Sequence, residues 1–105
     1  MEAPTRLERA PDALCDFAGR GDLWLKREDE NELGVFKWRG ALPVVEALAR
    51  DGHEAVVTAS TGNHGAAVAW ACQAVGVRAI VFVPQGAAEQ KLAKLERLDA
   101  DVRIV

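Results

Sequence analysis

Apolar and polar positions run in blocks through the second half of the chain, and the blocks change period. Glu54-Ala55-Val56-Val57-Thr58-Ala59 is a short apolar run of the kind that fills a buried strand. Ser60-Thr61-Gly62-Asn63-His64-Gly65 interrupts it with turn formers. Residues 66–75 predict a helix of small residues, closed by Gly76. Residues 77–84 hold Ala79-Ile80-Val81-Phe82-Val83, the strongest strand pattern in the chain. After the turn at Gln85-Gly86, Leu92, Leu95 and Leu98 fall on one side of an amphipathic helix over 88–98. Asp101 to Val105 then begins another strand. Apolar strands joined by helices imply a parallel sheet with right-handed crossovers.

The first half is less regular. Residues 1–22 read as an extended arm with one helical turn around Asp12 to Phe17. Leu23-Trp24-Leu25-Lys26 is a strand candidate, and Arg27 to Glu32 is a charged run that reads as a solvated face or a local ion-pair cluster. From Phe36 to Arg50 the apolar positions Leu42, Val45, Leu48 and Ala49 recur at helical spacing, with Gly52 where a helix stop belongs. The expected class is α/β, a three-layer open parallel sheet with helices on both faces. The expected organisation is an arm (1–22), a strand with a following helix (23–52) and a βαβαβ unit (53–105). A final apolar strand with nothing to cover its edge reads as a sign that a C-terminal part is absent.

Composition narrows the function classes. The 105 residues suffice for one small domain, and 50% hydrophobic with 28% charged is globular rather than disordered. A formal net charge of -3 without basic runs argues against nucleic acid as a partner. No apolar stretch resembles a signal peptide or a membrane span, so the expected compartment is the cytoplasm. Cys15 and Cys72 form no CxxC pair and read as free buried thiols. His53 and His64 lack metal-ligand spacing, so no metal is expected. Trp70 reads as core, His53 as surface and His64 as support for its loop.

Two segments can carry chemistry. The Ser60–Gly65 turn follows a strand and opens a helix, where unpaired amides and the helix dipole favour an anion. Its hydroxyls, Asn63 and two glycines suit a carboxylate or phosphate, and the same residues also suit a plain helix cap. In Gly34-Val35-Phe36-Lys37-Trp38-Arg39-Gly40 one lysine sits between two aromatics at a helix start. Desolvation there lowers an amine's pKa and makes it a nucleophile for an aldehyde. The competing reading is a surface lysine lying along an aromatic ring.

Taken together, Leu25-Lys26-Arg27-Glu28-Asp29, Gly34-Val35-Phe36-Lys37-Trp38-Arg39-Gly40-Ala41 and Thr58-Ala59-Ser60-Thr61-Gly62-Asn63-His64-Gly65 strongly resemble the fold-type II pyridoxal-phosphate enzymes, the tryptophan synthase β family. The nearest likeness is to the threonine/serine dehydratase branch, with its "LKRE(D/N)", "SFKxRGA" and "(S/T)SGNHG" patterns. Val81-Phe82-Val83-Pro84, the Lys91-bearing helix and Ala100-Asp101-Val102 extend the likeness, which covers about Thr5 to Val105. Its specificity lies in the order and spacing of three motifs.

The resemblance implies pyridoxal 5'-phosphate held covalently by Lys37, which also moves protons at the substrate Cα. It implies Asn63 on the cofactor's 3′ oxygen and Phe36 beside the cofactor ring. It gives the substrate carboxylate to Ser60, Thr61, Gly62, Asn63 and His64. The implied reaction removes water and then ammonia from L-threonine or L-serine, leaving a 2-oxo acid. Threonine synthase, serine racemase and β-replacement enzymes share these motifs, and a non-catalytic anion-binding α/β fragment is the alternative of another class. The implied full-length assembly is a homo-oligomer. Two positions depart from the pattern: Val35 stands where the family has Ser, and Thr5-Arg6-Leu7 where it has Thr-Pro-Leu. The family's glycine-rich phosphate loop lies beyond the matching segments, so 105 residues alone are expected to bind the cofactor poorly and show no turnover.

Overall fold

The computed structural model describes residues 4–19 and 21–105, which fall into two compact units, 1–36 and 37–105. In the first unit, β1 (Leu7–Arg9) pairs antiparallel with β2 (Trp24–Lys26) in the register Glu8↔Leu25. The sequence reads β1 only as extended chain. Its apolar signal is a single leucine, and pairing comes from its partner strand rather than from its own pattern. Between the strands lies α1 (Asp12–Ala18), which starts after Pro11 and ends at Gly19 in the left-handed region. Cys15, buried in α1, donates its thiol to the Ala10 carbonyl and accepts the Leu23 amide, tying helix to both strand ends.

The charged run closes this unit. Arg27 pairs with Glu8 at 2.5 Å, with Asp29 at 2.7 Å and with Glu30 at 3.4 Å, while Arg6 pairs with Glu30. The hydrogen bonds to these arginines hold the Asp29 and Glu30 carboxyls below their ordinary range. The ion-pair reading of that stretch is thus the one the fold adopts.

The second unit is the βαβαβ arrangement implied by the periods. Helix α2 (Trp38–Arg50) precedes a parallel sheet ordered β3 (Ala55–Ala59), β4 (Arg78–Val83), β5 (Asp101–Ile104). Helix α3 (Asn63–Val75) connects β3 to β4, and α4 (Glu89–Arg97) connects β4 to β5. The α/β class with a parallel sheet follows from the sequence as expected. Helix α3 is buried along most of its length because Gly65, Ala66, Ala67, Ala69 and Ala71 let it lie close to its neighbours. It covers the face that presents Val81, and the register puts Thr58 and Val102 beside Val81 on that face. On the other face Val57 is 60% exposed.

The core holds Trp38, Leu42 and Val45 from α2, Val68, Trp70 and Cys72 from α3, and Ile80, Val81 and Val83 from β4. Trp70 takes the core position that its sequence context implies, and Cys15 and Cys72 are free and buried. His53 lies on the surface. Among the described residues, no helix is long and apolar enough to cross a membrane.

Candidate functional site

The turn between β3 and α3 is held by two internal bonds. The Ser60 amide donates to the Phe82 carbonyl at 3.1 Å, fastening the end of β3 to β4. The Ser60 hydroxyl oxygen accepts the Gly62 amide at 3.1 Å. Gly62 then serves as the residue before the helix, and its carbonyl receives the Ala66 amide at 3.2 Å.

This arrangement sorts the donors. The Ser60 amide is engaged by β4 and the Gly62 amide by the Ser60 hydroxyl. Those of Asn63, His64 and Gly65 are the first three of α3 and meet no backbone carbonyl among the described residues. Asn63 and His64 are exposed, so an anion can reach the helix start. Thr61 is half-buried beside them. The Ser60 oxygen is used as an acceptor, which leaves its proton to donate.

Gly65, third in the helix, is buried. It also has no room for a side chain. A β-carbon there would lie 3.2 Å from the Ser60 Cβ, 3.3 Å from the Ser60 carbonyl oxygen and 3.3 Å from a Val81 methyl. The signal for it was present in the sequence as a second glycine three residues into a helix, a place where glycine costs stability unless something approaches closely.

Lys37 immediately precedes α2, and its carbonyl receives the Gly40 and Ala41 amides at 3.2 and 3.1 Å. The sequence leaves two readings of Lys37, an amine desolvated between two aromatics or a surface lysine lying along a ring. The structure does not desolvate it: Lys37 is exposed, and the two aromatics part company. Trp38 turns into the core with 4% exposure, while Phe36, the last residue of the first unit, is 63% exposed. The helical turn sends successive side chains in different directions, so sequence neighbours do not enclose one another. Exposure has a different use, because it leaves the amine open to an incoming aldehyde.

The whole chain, residues 1–105, matches the family model described as pyridoxal-phosphate dependent enzyme. The chain belongs to this family. It is 38% identical over 90 residues to the biosynthetic L-threonine dehydratase of Corynebacterium glutamicum, covering 85% of this chain and 20% of the relative. It is 39% identical over 93 residues to the serine racemase of Homo sapiens, covering 85% of this chain and 27% of the relative. Among solved structures, the processed threonine deaminase isoform 2 of Solanum lycopersicum superposes with a TM-score of 0.87 at 33% identity, covering 98% of this chain and 28% of that one. The chain thus spans less than a third of the length of each of these relatives.

The family's cofactor is pyridoxal phosphate, and the residues present fit part of it. An aldehyde needs an accessible amine, which exposed Lys37 offers. The open amides of α3 suit a carboxylate or another small anion.

Proposed function

We propose that the protein carrying these residues is a pyridoxal-phosphate-dependent lyase that removes water and then ammonia from L-threonine or L-serine, giving a 2-oxo acid. One observation carries the reading. Within one unit, an exposed lysine opens α2 and three unengaged amides open α3. The names of the Corynebacterium and tomato relatives support the choice of reaction.

Bound there, the cofactor supplies the electron sink that stabilises negative charge at the substrate Cα. Lys37 would hold it through its amine and would move the proton at the substrate Cα as a general base. Asn63 donates its side-chain amide to the cofactor's 3′ oxygen, and Phe36 packs beside the ring, as the resemblance implies. The substrate carboxylate rests on Ser60, Thr61, Gly62, Asn63 and His64. The amides of Asn63 and His64 and the Ser60 hydroxyl do most of the binding, because the Gly62 amide is already engaged. The positive end of α3 adds to that attraction. The same resemblance supports a cytoplasmic homo-oligomer.

The test is 2-oxo acid release from L-serine and L-threonine by the full-length protein, with Lys37→Ala beside it. Release that Lys37→Ala abolishes supports the lyase. The human relative supports a second reading, a serine racemase. In that case D-serine accumulates and 2-oxo acid does not. Retention of the visible cofactor band in Lys37→Ala would leave only a non-catalytic binding fragment.

A further inference from the structure

We infer that Trp38 is the positioning residue for Lys37, anchoring the first turn of α2 onto α3 so that the lysine amine is presented in one place. The inference rests on the reading of Lys37 as the lysine that takes the cofactor.

The first turn of α2 is poorly held by its own backbone. Gly40 sits in it and weakens it by its conformational freedom. Pro43 lies inside the helix one turn further on, lacks an amide proton and crowds the carbonyl four residues before it, that of Arg39. Lys37 supplies no side-chain cap. A helix start of this composition frays unless a side chain fixes it.

Trp38 is placed to do so. Its ring is 4% exposed and meets Trp70 of α3 edge-on, with centroids 5.2 Å apart and planes at 63°. The Arg39 guanidinium lies over the Trp38 ring, 4.5 Å from its centroid. The indole is thus held at its edge and on its face, one residue from Lys37. Trp70 belongs to the helix whose first turn carries the open amides, so one contact ties the lysine's helix to the carboxylate's helix. The Trp38 indole nitrogen is buried and has no hydrogen-bond partner among the described residues. A polar atom left unpaired in the core opposes folding, so the ring is held there by its shape and contacts rather than by its N–H.

The experiment uses the full-length protein with pyridoxal 5'-phosphate as the probe. The imine is trapped by borohydride, and the labelled peptides bearing Lys26, Lys37, Lys91 and Lys94 are compared by mass. The wild type is expected to label chiefly at Lys37. Trp38→Phe keeps the ring contacts and removes the unpaired donor, and should keep that preference. Trp38→Ala should lower the Lys37 share by about tenfold, as expected when a reacting group loses its fixed orientation. Leu42→Ala, a buried change one turn along α2, should lower the melting temperature and leave the preference intact. If Trp38→Ala fails to fold by circular dichroism, Trp38→Leu carries the same expectation. Trp70→Leu, which removes the partner ring, is expected to behave likewise. Preferential labelling that survives loss of the Trp38 ring overturns the inference, and so does an equal loss in Leu42→Ala. A wild type that labels all four lysines alike overturns the underlying reading of Lys37 instead.

Discussion

Ser60 and Gly65 are packed so closely that a β-carbon on Gly65 would lie 3.2 Å from the Ser60 Cβ. The turn proposed to hold the substrate carboxylate is therefore built around a missing side chain, and its shape is sensitive to one methyl group. In Gly65→Ala the added methyl also presses on Val81, which is fully buried. Overpacking costs about 1–3 kcal/mol, and the better helix propensity of alanine returns about 1 kcal/mol. The variant should lose roughly 1 kcal/mol of stability in thermal melts, the difference of those two. Because Ser60 must shift, KM for the amino acid should rise more than kcat falls. An unchanged KM would detach Gly65 from the site.

The Ser60 hydroxyl holds the Gly62 amide. Removing it in Ser60→Ala frees that amide and loosens the turn. Loss of one such bond costs about 1 kcal/mol. The expected result is a weaker grip on the substrate carboxylate, seen as a raised KM, while Ser60→Thr keeps the oxygen and much of the affinity. Equal behaviour of the two variants would show that the hydroxyl does not shape the turn.

In the first unit, Arg6 and Arg27 depress the carboxyls of Glu30 and Asp29 from their ordinary values of 4.5 and 3.8. A depressed carboxyl stabilises the fold above its unfolded pKa and ceases to do so as pH falls through its folded pKa. The contribution is thus complete above about pH 4.5 and lost progressively below the ordinary values. These groups are open to solvent, so salt should reduce the effect. Amide exchange of β1 and β2 as pH is lowered from 6 to about 3, at low and high salt, tests this. Protection factors, taken relative to the intrinsic exchange rate at each pH, that are as high at the acid end as at about pH 6 would contradict it.

Burial pushes the Cys72 thiol above its ordinary value, because the thiolate is the charged form. A cavity of about 180 Å³ opens beside it, so a small reagent can approach, yet the reactive species is scarce. Iodoacetamide at pH 8 should modify Cys72 at least about tenfold more slowly in the native protein than in denaturant. Comparable rates would place the thiol at the surface.

How much of this was legible beforehand differs between the two halves of the chain. The periods of residues 54–105 determine β3, α3, β4, α4 and β5 to within a few residues, because each of those elements has enough apolar positions to express its own repeat. The start of α3 lies at Asn63 rather than at the first alanine, since a helix can begin on polar residues whose amides need no partner. The order and spacing of the three motifs pointed to the family, because each sets particular residue types at particular positions. Strand β1 was not legible, as three residues with one exposed leucine carry no period. Nor was the fate of the aromatics around Lys37. Sequence places Phe36 and Trp38 symmetrically about it, and only the helix decides that Trp38 turns inward while Lys37 stays exposed. The same holds for the donors of the turn. Their residue types stand in the sequence, but that the Ser60 amide is taken by Phe82 depends on how β3 and β4 align, and that the Gly62 amide is taken by the Ser60 hydroxyl depends on the folded shape of the turn.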